Sequence, residues 1–226
     1  MFKFNGISSD DMGVIAEEED FFTRAPIRFN KTNIDGMNGS LYHTDNVLED
    51  VKMQFKIQLI KDNYDEVLKW LKGKGIFEFR GRVTEAFFFD ELHLERKACI
   101  KVATVNCIRR PTWTDANDTF KTVTNNVMNL GNTIAYPIIK ITAKPNVAVS
   151  VSVGSKHFYC QLEDNGSVII DCQNMTETDE NGNSVSQNVT MGFDYPKLLP
   201  GSNDVFANAS PPCDVKIEIK NRSAYL

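Results

Sequence analysis

The sequence predicts a mainly β protein, with a β-rich N-terminal domain that contains one α-helix and a C-terminal β-sandwich or jelly roll. Three observations support this prediction. Apolar and polar residues alternate through residues 51–60, an apolar stripe with helical spacing covers residues 64–71, and many short apolar segments follow residue 130. A period of two is typical of a half-buried strand, whereas spacings of three and four are typical of an amphipathic helix.

Strands are predicted on both sides of the helix. In residues 51–60 apolar side chains alternate with Lys and Gln, which predicts an antiparallel strand with one buried face. Residues 97–109 carry apolar side chains at both odd and even positions, so we expect both faces of this strand to be covered. Residues 84–94 favour a strand over a helix because they contain three consecutive aromatic residues, Phe87, Phe88 and Phe89.

The helix is predicted from four apolar residues at positions i, i+3, i+4 and i+7, which are Tyr64, Val67, Leu68 and Leu71. Asn63 is the expected N-cap, and Glu66 stands three residues later, at the capping-box position. Gly73 suits the left-handed residue that ends many helices. The chain then continues into a strand around Phe77.

A change in composition near residue 130 predicts a domain boundary there, with domains at 1–130 and 131–226. Turn-forming residues, mostly asparagine and glycine, are concentrated between 125 and 132. Beyond them, turn signals at 164–166 and 180–182 separate short apolar segments, which is typical of a sandwich or jelly roll. The predicted strands are Ile138–Ile141, Val147–Val153, His157–Leu162, Val168–Asp171 and Val215–Ile219.

Composition excludes several classes of protein. The 226 residues carry a formal net charge of −5, which disfavours wrapping of nucleic acid. No apolar run approaches the roughly 20 residues that span a bilayer, and residues 1–6 lack the apolar core of a signal peptide. The five cysteines are scattered without a Cys-x-x-Cys pair. We therefore expect free, mostly buried thiols in a reducing cytosol.

Chemistry-bearing residues do not form a recognisable catalytic or metal-binding pattern. The three histidines, His43, His93 and His157, are far apart, whereas zinc needs converging ligands. Residues 177–182 resemble the start of a calcium loop, but the twelfth position is Asn188 in place of the bidentate glutamate. Glu163 and Asp171 are the carboxylates one would pair for sugar hydrolysis. We predict no enzyme activity and no cofactor or metal.

Five stretches in a fixed order carry a family resemblance. They are Phe4–Val14, Gly131–Ile141, Gly166–Asp171, Tyr195–Asn203 and Lys216–Leu226. Together they resemble the distal tail proteins of phages with long, non-contractile tails and of their prophages, over essentially the whole chain. The positions that we assign to the scaffold are Gly6, Gly13, Gly131, Asn132, Pro137, Asp171, Pro196, Pro200, Gly201 and Asn203.

Most of these positions shape the backbone rather than react. Gly6 permits a tight turn, Pro137 sets φ where a strand begins, and Asn203 can bond its own backbone in a turn. Pro196 and Pro200 hold a loop whose Leu198 and Leu199 are expected to plug an edge of the sandwich. The resemblance thus predicts an architectural role.

The resemblance implies a specific architecture. Residues 1–130 would form a six-membered ring, and residues 131–226 a galectin-like β-sandwich on its outside. The ring would join the tail tube to the tail tip or baseplate and let DNA pass without specific binding. Implied partners are further copies of the chain, the major tail tube protein, a tail-tip or tail-associated lysin protein and the tape-measure protein. The protein would belong to the virion and assemble in the bacterial host cytoplasm.

Two other functions are weighed against the structural one. A carbohydrate-binding module would need an exposed aromatic platform, for which Trp113 is a candidate, while Trp70 lies on the predicted helix beside the core. The chain has no room for an inserted carbohydrate-binding module. A tail-associated hydrolase would need acids converging in a cleft. For assembly, Phe87, Phe88 and Phe89 are candidate subunit contacts if one face of their strand is open, and core residues if both faces are covered.

Overall fold

The computed structural model of the chain describes residues 1–17, 21–97, 100–144, 146–164, 166–192 and 194–226. The chain divides into two compact units. The N-terminal unit comprises residues 1–116 together with Leu226, and the C-terminal unit comprises residues 117–225. Both are built mainly from β-strands, as the sequence predicts.

The described part of the N-terminal unit contains one short helix, Tyr64–Trp70 (α1), which is too short to cross a membrane. The strands are Phe2–Phe4 (β1), Ile7–Ser8 (β2), Val14–Ala16 (β3), Ile27–Thr32 (β4), Leu41–Leu48 (β5), Val51–Leu59 (β6), Gly73–Phe79 (β7), Arg82–Phe88 (β8), His93–Lys97 (β9), Ile100–Arg109 (β10) and Thr114–Asp115 (β11).

Nine of these strands form one antiparallel sheet with the order β2-β1-β7-β8-β10-β6-β3, in which β11 pairs with β8 and β9 with β10. β10 and β6 are in register from Lys101 opposite Leu59 to Arg109 opposite Val51. On its other side β10 pairs first with β9 and then with β8. The segment 84–94, predicted as one strand, therefore contains the end of β8 and the start of β9, with a break in the chain's pairing after Phe88.

The alternation in β6 is confirmed, because its odd-numbered residues are buried and its even-numbered residues face outward. The prediction that β10 is covered on both faces is wrong. Ala103, Val105 and Cys107 are buried, whereas Thr104 on the opposite face is exposed and Ile108 is half-buried. The large sheet therefore has one core face and one open face.

The core of this unit is aromatic. The ring of Phe2 lies between 5.2 and 5.9 Å from four other rings, at stacked and edge-to-face angles that favour aromatic pairs. Trp113 is fully buried in the same core. The four rings around Phe2 are Phe21, Phe55, Trp70 and Phe77.

The helix lies where the sequence predicts it, but its ends differ in detail. Asn63 occupies the N-cap position without a capping hydrogen bond from its side chain, and its Nδ2 donates instead to the Met12 carbonyl. The helix ends at Trp70, whose indole Nε1 donates to the Phe4 carbonyl. Gly73 has the expected positive φ of 79°, but it opens β7.

The C-terminal unit consists of two five-stranded sheets with the orders β12-β21-β14-β17-β18 and β13-β20-β15-β16-β19, and a 3-10 turn at Ser186–Asn188. The strands are Lys121–Val123 (β12), Asn126–Asn129 (β13), Ile138–Ala143 (β14), Val147–Val153 (β15), Lys156–Leu162 (β16), Ser167–Asp171 (β17), Thr176–Thr178 (β18), Val189–Thr190 (β19), Gly201–Ser210 (β20) and Val215–Lys220 (β21).

The two sheets enclose one apolar core, to which β14 and β21 contribute isoleucines and β15 and β16 contribute valines and Phe158. All five strands predicted after residue 130 are present. The division between the units lies at Ala116, earlier than the predicted boundary at 130, because β12 and β13 pair with β21 and β20 of the sandwich.

Cys107, Cys160 and Cys172 are buried free thiols, and burial raises the pKa of each to about 12. At neutral pH they are protonated and poorly nucleophilic. Cys213 is half-buried and also free. Cys99 lies outside the described residues.

Candidate assembly surface

An exposed hairpin extends from the N-terminal unit. β4 and β5 pair with each other in a separate two-stranded sheet, and every residue of both strands is exposed except Leu48, which is half-buried. We call Ile27–Leu48 the arm. Its strands are joined by an Arg28–Asp45 ion pair and by a hydrogen bond from Thr44 Oγ1 to the Arg28 carbonyl (2.9 Å).

One face of the arm carries two exposed aromatic rings, beside Lys31 and Thr44. Phe29 and Tyr42 lie on the same face with ring centroids 5.6 Å apart, and they are 57% and 62% exposed. The opposite face carries the cross-strand pair Asn30 and His43. A two-stranded hairpin is marginally stable in water, and exposed aromatic pairs mark interaction sites. The arm therefore has the properties of a segment that packs on another protein surface.

The base of the arm is held by a buried arginine. Arg109 donates from Nη2 to the Thr23 carbonyl and from Nη1 to the Arg110 carbonyl (2.8 Å), and its guanidinium lies 5.1 Å from the Trp113 ring centroid. Burial lowers the pKa of Arg109 to about 10, so the side chain keeps its charge at neutral pH. Where the strands leave the base, the Glu49 amide donates to the Pro26 carbonyl.

Replacing Arg109 by methionine should loosen this base. The methionine fills similar space but removes the guanidinium that donates to the Thr23 and Arg110 carbonyls, which should cost about 2 kcal/mol of unfolding free energy. Limited proteolysis should then cut the chain faster near Thr23. Arg110→Met is the matched control, because Arg110 is half-exposed and pairs with Glu85 on the surface. Equal cleavage rates for the two variants would contradict the role of Arg109.

A second apolar patch lies on the open face of the large sheet. Phe88 points into the core, whereas Phe87 and Phe89 are about half exposed, with ring centroids 5.9 Å apart. The strand thus has one open face, and the alternative in which all three rings belong to the core is wrong. Ile76 on β7 is equally exposed.

Charged side chains border this patch. Glu85 pairs with Lys74 (2.8 Å) and Arg110 (3.2 Å). Partial burial opposes ionisation of Glu85, but hydrogen bonds from Lys74 and Arg110 outweigh it and keep its pKa below the usual value. A hollow of about 290 Å³ lies among these residues, Phe87 and Ile108. An apolar centre with a charged border is typical of protein–protein contacts.

The whole chain matches a known phage structure. Superposition on the crystal structure of the Dit protein (gp 19.1) of phage SPP1 gives a TM-score of 0.74 at 14% sequence identity, and covers 100% of this chain and 98% of that one. This chain has the fold of SPP1 Dit. That protein is described as a paradigm of the hub of the adsorption apparatus in phages that infect Gram-positive bacteria. No protein-family model and no curated protein matches the sequence.

The resemblance to phage distal tail proteins is thus confirmed at the level of the fold. Within this Dit-like fold, Gly6 (φ 80°) and Gly13 (φ 62°) adopt backbone conformations that favour glycine. Gly6 lies in the turn between β1 and β2. A Cβ on Gly13 would lie 2.6 Å from Cγ of Lys61, whose ammonium donates to the Asp11 carbonyl.

Four predicted positions meet near the C-terminal segment of the Dit-like sandwich. Gly131 faces the backbone of Ala224, and Asn132 has polar contacts of its own. The Pro137 carbonyl accepts a hydrogen bond from the Cys172 amide (3.1 Å). Asp171 binds Arg222 through two parallel hydrogen bonds of 2.8 and 3.0 Å. These contacts attach the end of the chain to the sandwich.

The Asp171–Arg222 pair makes stability depend on pH. Burial opposes ionisation of Asp171, but hydrogen bonds from Arg222 and two backbone amides outweigh it and lower its pKa below 3.8. The carboxylate therefore stabilises the fold above pH 3.8, and this contribution is lost as the pH falls further. Asp171→Asn should cost about 2 kcal/mol at pH 7 and flatten the acid dependence of Tm. The exposed Asp204→Asn is the control, and equal acid profiles would contradict this assignment.

The remaining predicted positions shape one loop of the sandwich. Pro196 is buried, Pro200 is exposed, and Gly201 opens β20 with a φ of 96°. Asn203 is buried and bonds the Leu199 amide (2.9 Å) and carbonyl (2.8 Å). Leu198 plugs the sandwich edge as expected, because it is fully buried and bonds Ala135 in both directions. The same expectation for Leu199 is wrong, since that side chain is exposed.

The residues considered for chemistry lie apart. His43, His93 and His157 are on β5, β9 and β16, and the described residues contain no group of three or more potential metal-ligating side chains. In the calcium-like segment, the Asp179 carboxylate accepts hydrogen bonds from the amides of Asn181 and Asn183, as in a turn. Of the pair considered for sugar hydrolysis, Glu163 is exposed, whereas Asp171 is held by Arg222.

Sequence reasoning missed the arm and the longest sandwich strand. A signal for the arm was present, because Asp35-Gly36 and Asn38-Gly39 are turn formers, and Ile27 and Phe29 alternate with polar residues before them. β20 gave little signal because asparagine, aspartate, serine and glycine have low strand propensity.

Proposed function

We propose that this chain is a structural protein of a phage tail, whose copies form a hexameric ring that joins the tail tube to the tail tip or baseplate. The full-length fold match to a phage hub protein carries this proposal. A hub component needs extended contact surfaces, and the arm and the patch at Phe87 and Phe89 are two surfaces of this kind on the N-terminal unit.

The arm favours a ring over a two-fold dimer. A ring requires a heterologous interface, in which one surface of each copy contacts a different surface of the next copy. The aromatic pair of the arm, Phe29 and Tyr42, and the patch at Phe87 and Phe89 supply two dissimilar surfaces with exposed rings. Repetition of such a contact with the correct rotation closes a ring.

The same proposal includes the passage of DNA and contacts with other tail proteins. The chain is mildly acidic, with a net charge of −5, and a negative wall would let DNA slide without binding it. The partners that we propose are the tail tube protein, a tail-tip or tail-associated lysin protein and the tape-measure protein. The ring would be part of the virion and would assemble in the host cytoplasm.

The mass and shape of the purified protein test this function. Size-exclusion chromatography with light scattering should give a particle of six times the 25.5 kDa chain, and negative-stain images should show rings with a central opening. Because assembly can require a neighbour, the experiment is repeated with the tail tube and tail-tip proteins present. A chain that remains monomeric in all these mixtures would contradict the proposal.

One observation favours a second candidate function, the binding of a host glycan. Tyr159 and Phe206 are exposed on the outer face of the sandwich, on the strands that flank β15. Between them His157 bonds Ser150 (3.2 Å) and Ser152 (3.0 Å). Aromatic rings beside hydroxyl groups suit sugar rings, whereas the buried Trp113 is inaccessible. Binding on a cell-wall glycan array that is lost in Tyr159→Ser would support this function.

A further inference from the structure

The loop that joins the two strands of the arm contains an asparagine and a glycine that are open to water. Residues 33–40 form this loop, within which Ser40 Oγ donates to Asn33 Oδ1 (2.7 Å). Asn38 and Gly39 are exposed, and neither has a hydrogen-bond partner among the residues that the structure describes. The carboxamide of Asn38 and the main-chain amide that follows it are therefore both free to move and to react.

An asparagine followed by glycine can react with its own main chain. The amide nitrogen of the glycine gives up its proton and bonds to Cγ of the asparagine, the Cγ–Nδ2 bond breaks, and Nδ2 leaves with that proton as ammonia. The product is a cyclic succinimide. Water then opens the ring at either carbonyl, which gives aspartate or isoaspartate, and in isoaspartate the main chain runs through Cβ and Cγ. Glycine favours the attack because it has no Cβ to block the approach and leaves the backbone free to turn.

The pair formed by Asn5 and Gly6 has the same sequence, but its carboxamide is engaged. Asn5 Oδ1 accepts a hydrogen bond from the Ile76 amide (2.9 Å), and the Asn5 amide donates to the Ile76 carbonyl (2.9 Å). The carboxamide also lies so close to Gly75 that a Cβ on that glycine would be 2.2 Å from Oδ1. Turning Cγ of Asn5 towards the Gly6 nitrogen would break the hydrogen bond from Ile76.

In the pair formed by Asn181 and Gly182, the attacking amide is engaged. The Gly182 amide donates to the Asp179 carbonyl (3.2 Å), and the Asn181 amide donates to Asp179 Oδ1 (2.8 Å). An amide that donates a hydrogen bond gives up its proton less readily, and this turn must open before the nitrogen can reach Cγ. Asn165, which precedes Gly166, lies outside the described residues.

We propose that Asn38 is a site of spontaneous covalent modification, at which attack by the Gly39 amide converts the side chain to aspartate and isoaspartate. The co-reactant is water, and the leaving group is ammonia. Of the three pairs that the structure describes, this is the one in which both reacting groups are unbonded. Conversion adds a negative charge to the arm, and isoaspartate also lengthens the main chain of its loop. The proposal goes beyond the tail function, since the reaction takes place within a single chain and requires no ring.

Mass spectrometry of the aged chain tests this assignment. The full chain is incubated at mildly alkaline pH and digested with trypsin at intervals, and fragment spectra locate each conversion of asparagine. Asn38 should convert first, whereas Asn5 and Asn181, where a hydrogen bond must break beforehand, should convert about fivefold more slowly. The product at residue 38 should include isoaspartate, because direct hydrolysis of the carboxamide would give aspartate alone. The rate should rise with hydroxide concentration, since the attacking nitrogen is deprotonated.

Two variants of the same loop provide a matched comparison. Gly39→Ala places a Cβ beside the attacking nitrogen and should slow the conversion of Asn38 about tenfold. Gly36→Ala is the control, because both glycines have a positive φ (83° and 90°) and neither has an atom within 4 Å of the added Cβ. It imposes similar strain on the loop but should leave the rate at Asn38 unchanged.

Three results would overturn the proposal. They are conversion of Asn38 no faster than that of Asn5 and Asn181, equal rates in the two variants, and a product without isoaspartate. Circular dichroism checks that both variants are folded. Should either variant not fold, the comparison of the three asparagines within the unchanged chain decides the matter.

Discussion

Replacing Phe29 and Tyr42 together by serine is expected to leave the chain folded but unable to form rings. Both side chains are exposed in the single chain, so their loss removes little from the core of the N-terminal unit. At an interface, each aromatic ring should contribute about 2 kcal/mol through the apolar surface that it buries. Their joint loss should weaken the subunit contact about 1,000-fold, which light scattering would record as a monomer.

The opposite face of the arm supplies the control. Asn30 and His43 form a cross-strand pair on that face. Replacing both by serine changes the arm to the same extent but keeps Phe29 and Tyr42. This variant should assemble as the original chain does. If the variant without Phe29 and Tyr42 still formed rings of unchanged mass, these two side chains would not form the contact between subunits.

The parts of the fold that the sequence predicts well are those where one face of a strand is buried. β6 alternates because its odd-numbered residues enter an aromatic core, and β15 is predicted to the residue because its valines face the opposite sheet. In both strands burial selects the side chains directly. The helix is found for the same reason, since Val67 and Trp70 are its buried side.

The elements that escape prediction are stabilised by pairing rather than by burial. The arm has no buried face, and β20 alternates polar side chains with small ones over most of its length. β20 is set by β13 and β15, which are distant in sequence, whereas the two strands of the arm are set by each other. The units divide after Ala116 rather than near residue 130 for the same reason. β12 and β13 pair with strands that lie about 75 to 100 residues later in the chain.

The sequence suggests scaffold positions, but it does not indicate which residues they contact. A glycine at 131 and a serine at 223 carry no local signal that they are neighbours. In the structure the Leu130 amide donates to Ser223 Oγ (3.1 Å), and the Thr133 amide to the Ala224 carbonyl (3.2 Å). The juncture is thus a contact between two segments that are about 90 residues apart.

Gly131→Ala should destabilise the sandwich strongly. A Cβ at this position would lie 1.9 Å from the Ala224 carbonyl oxygen and 2.6 Å from the Ala224 nitrogen, distances at which the backbone must move. Moving the C-terminal segment breaks the hydrogen bonds at Leu130 and Thr133 and exposes the buried Ala224. Overpacking against backbone at a juncture of this kind should cost about 3 kcal/mol, to be measured by denaturant unfolding.

Gly192→Ala separates this contact from a general effect of alanine. A Cβ on Gly192 would have no atom within 4 Å, so this variant should unfold within about 0.5 kcal/mol of the original chain. The difference between the two variants isolates the clash with Ala224, because both exchange the same residue types within one unit. If Gly131→Ala were as stable as Gly192→Ala, the C-terminal segment would be able to move away from residue 131 without loss of stability, which would contradict the importance of this juncture.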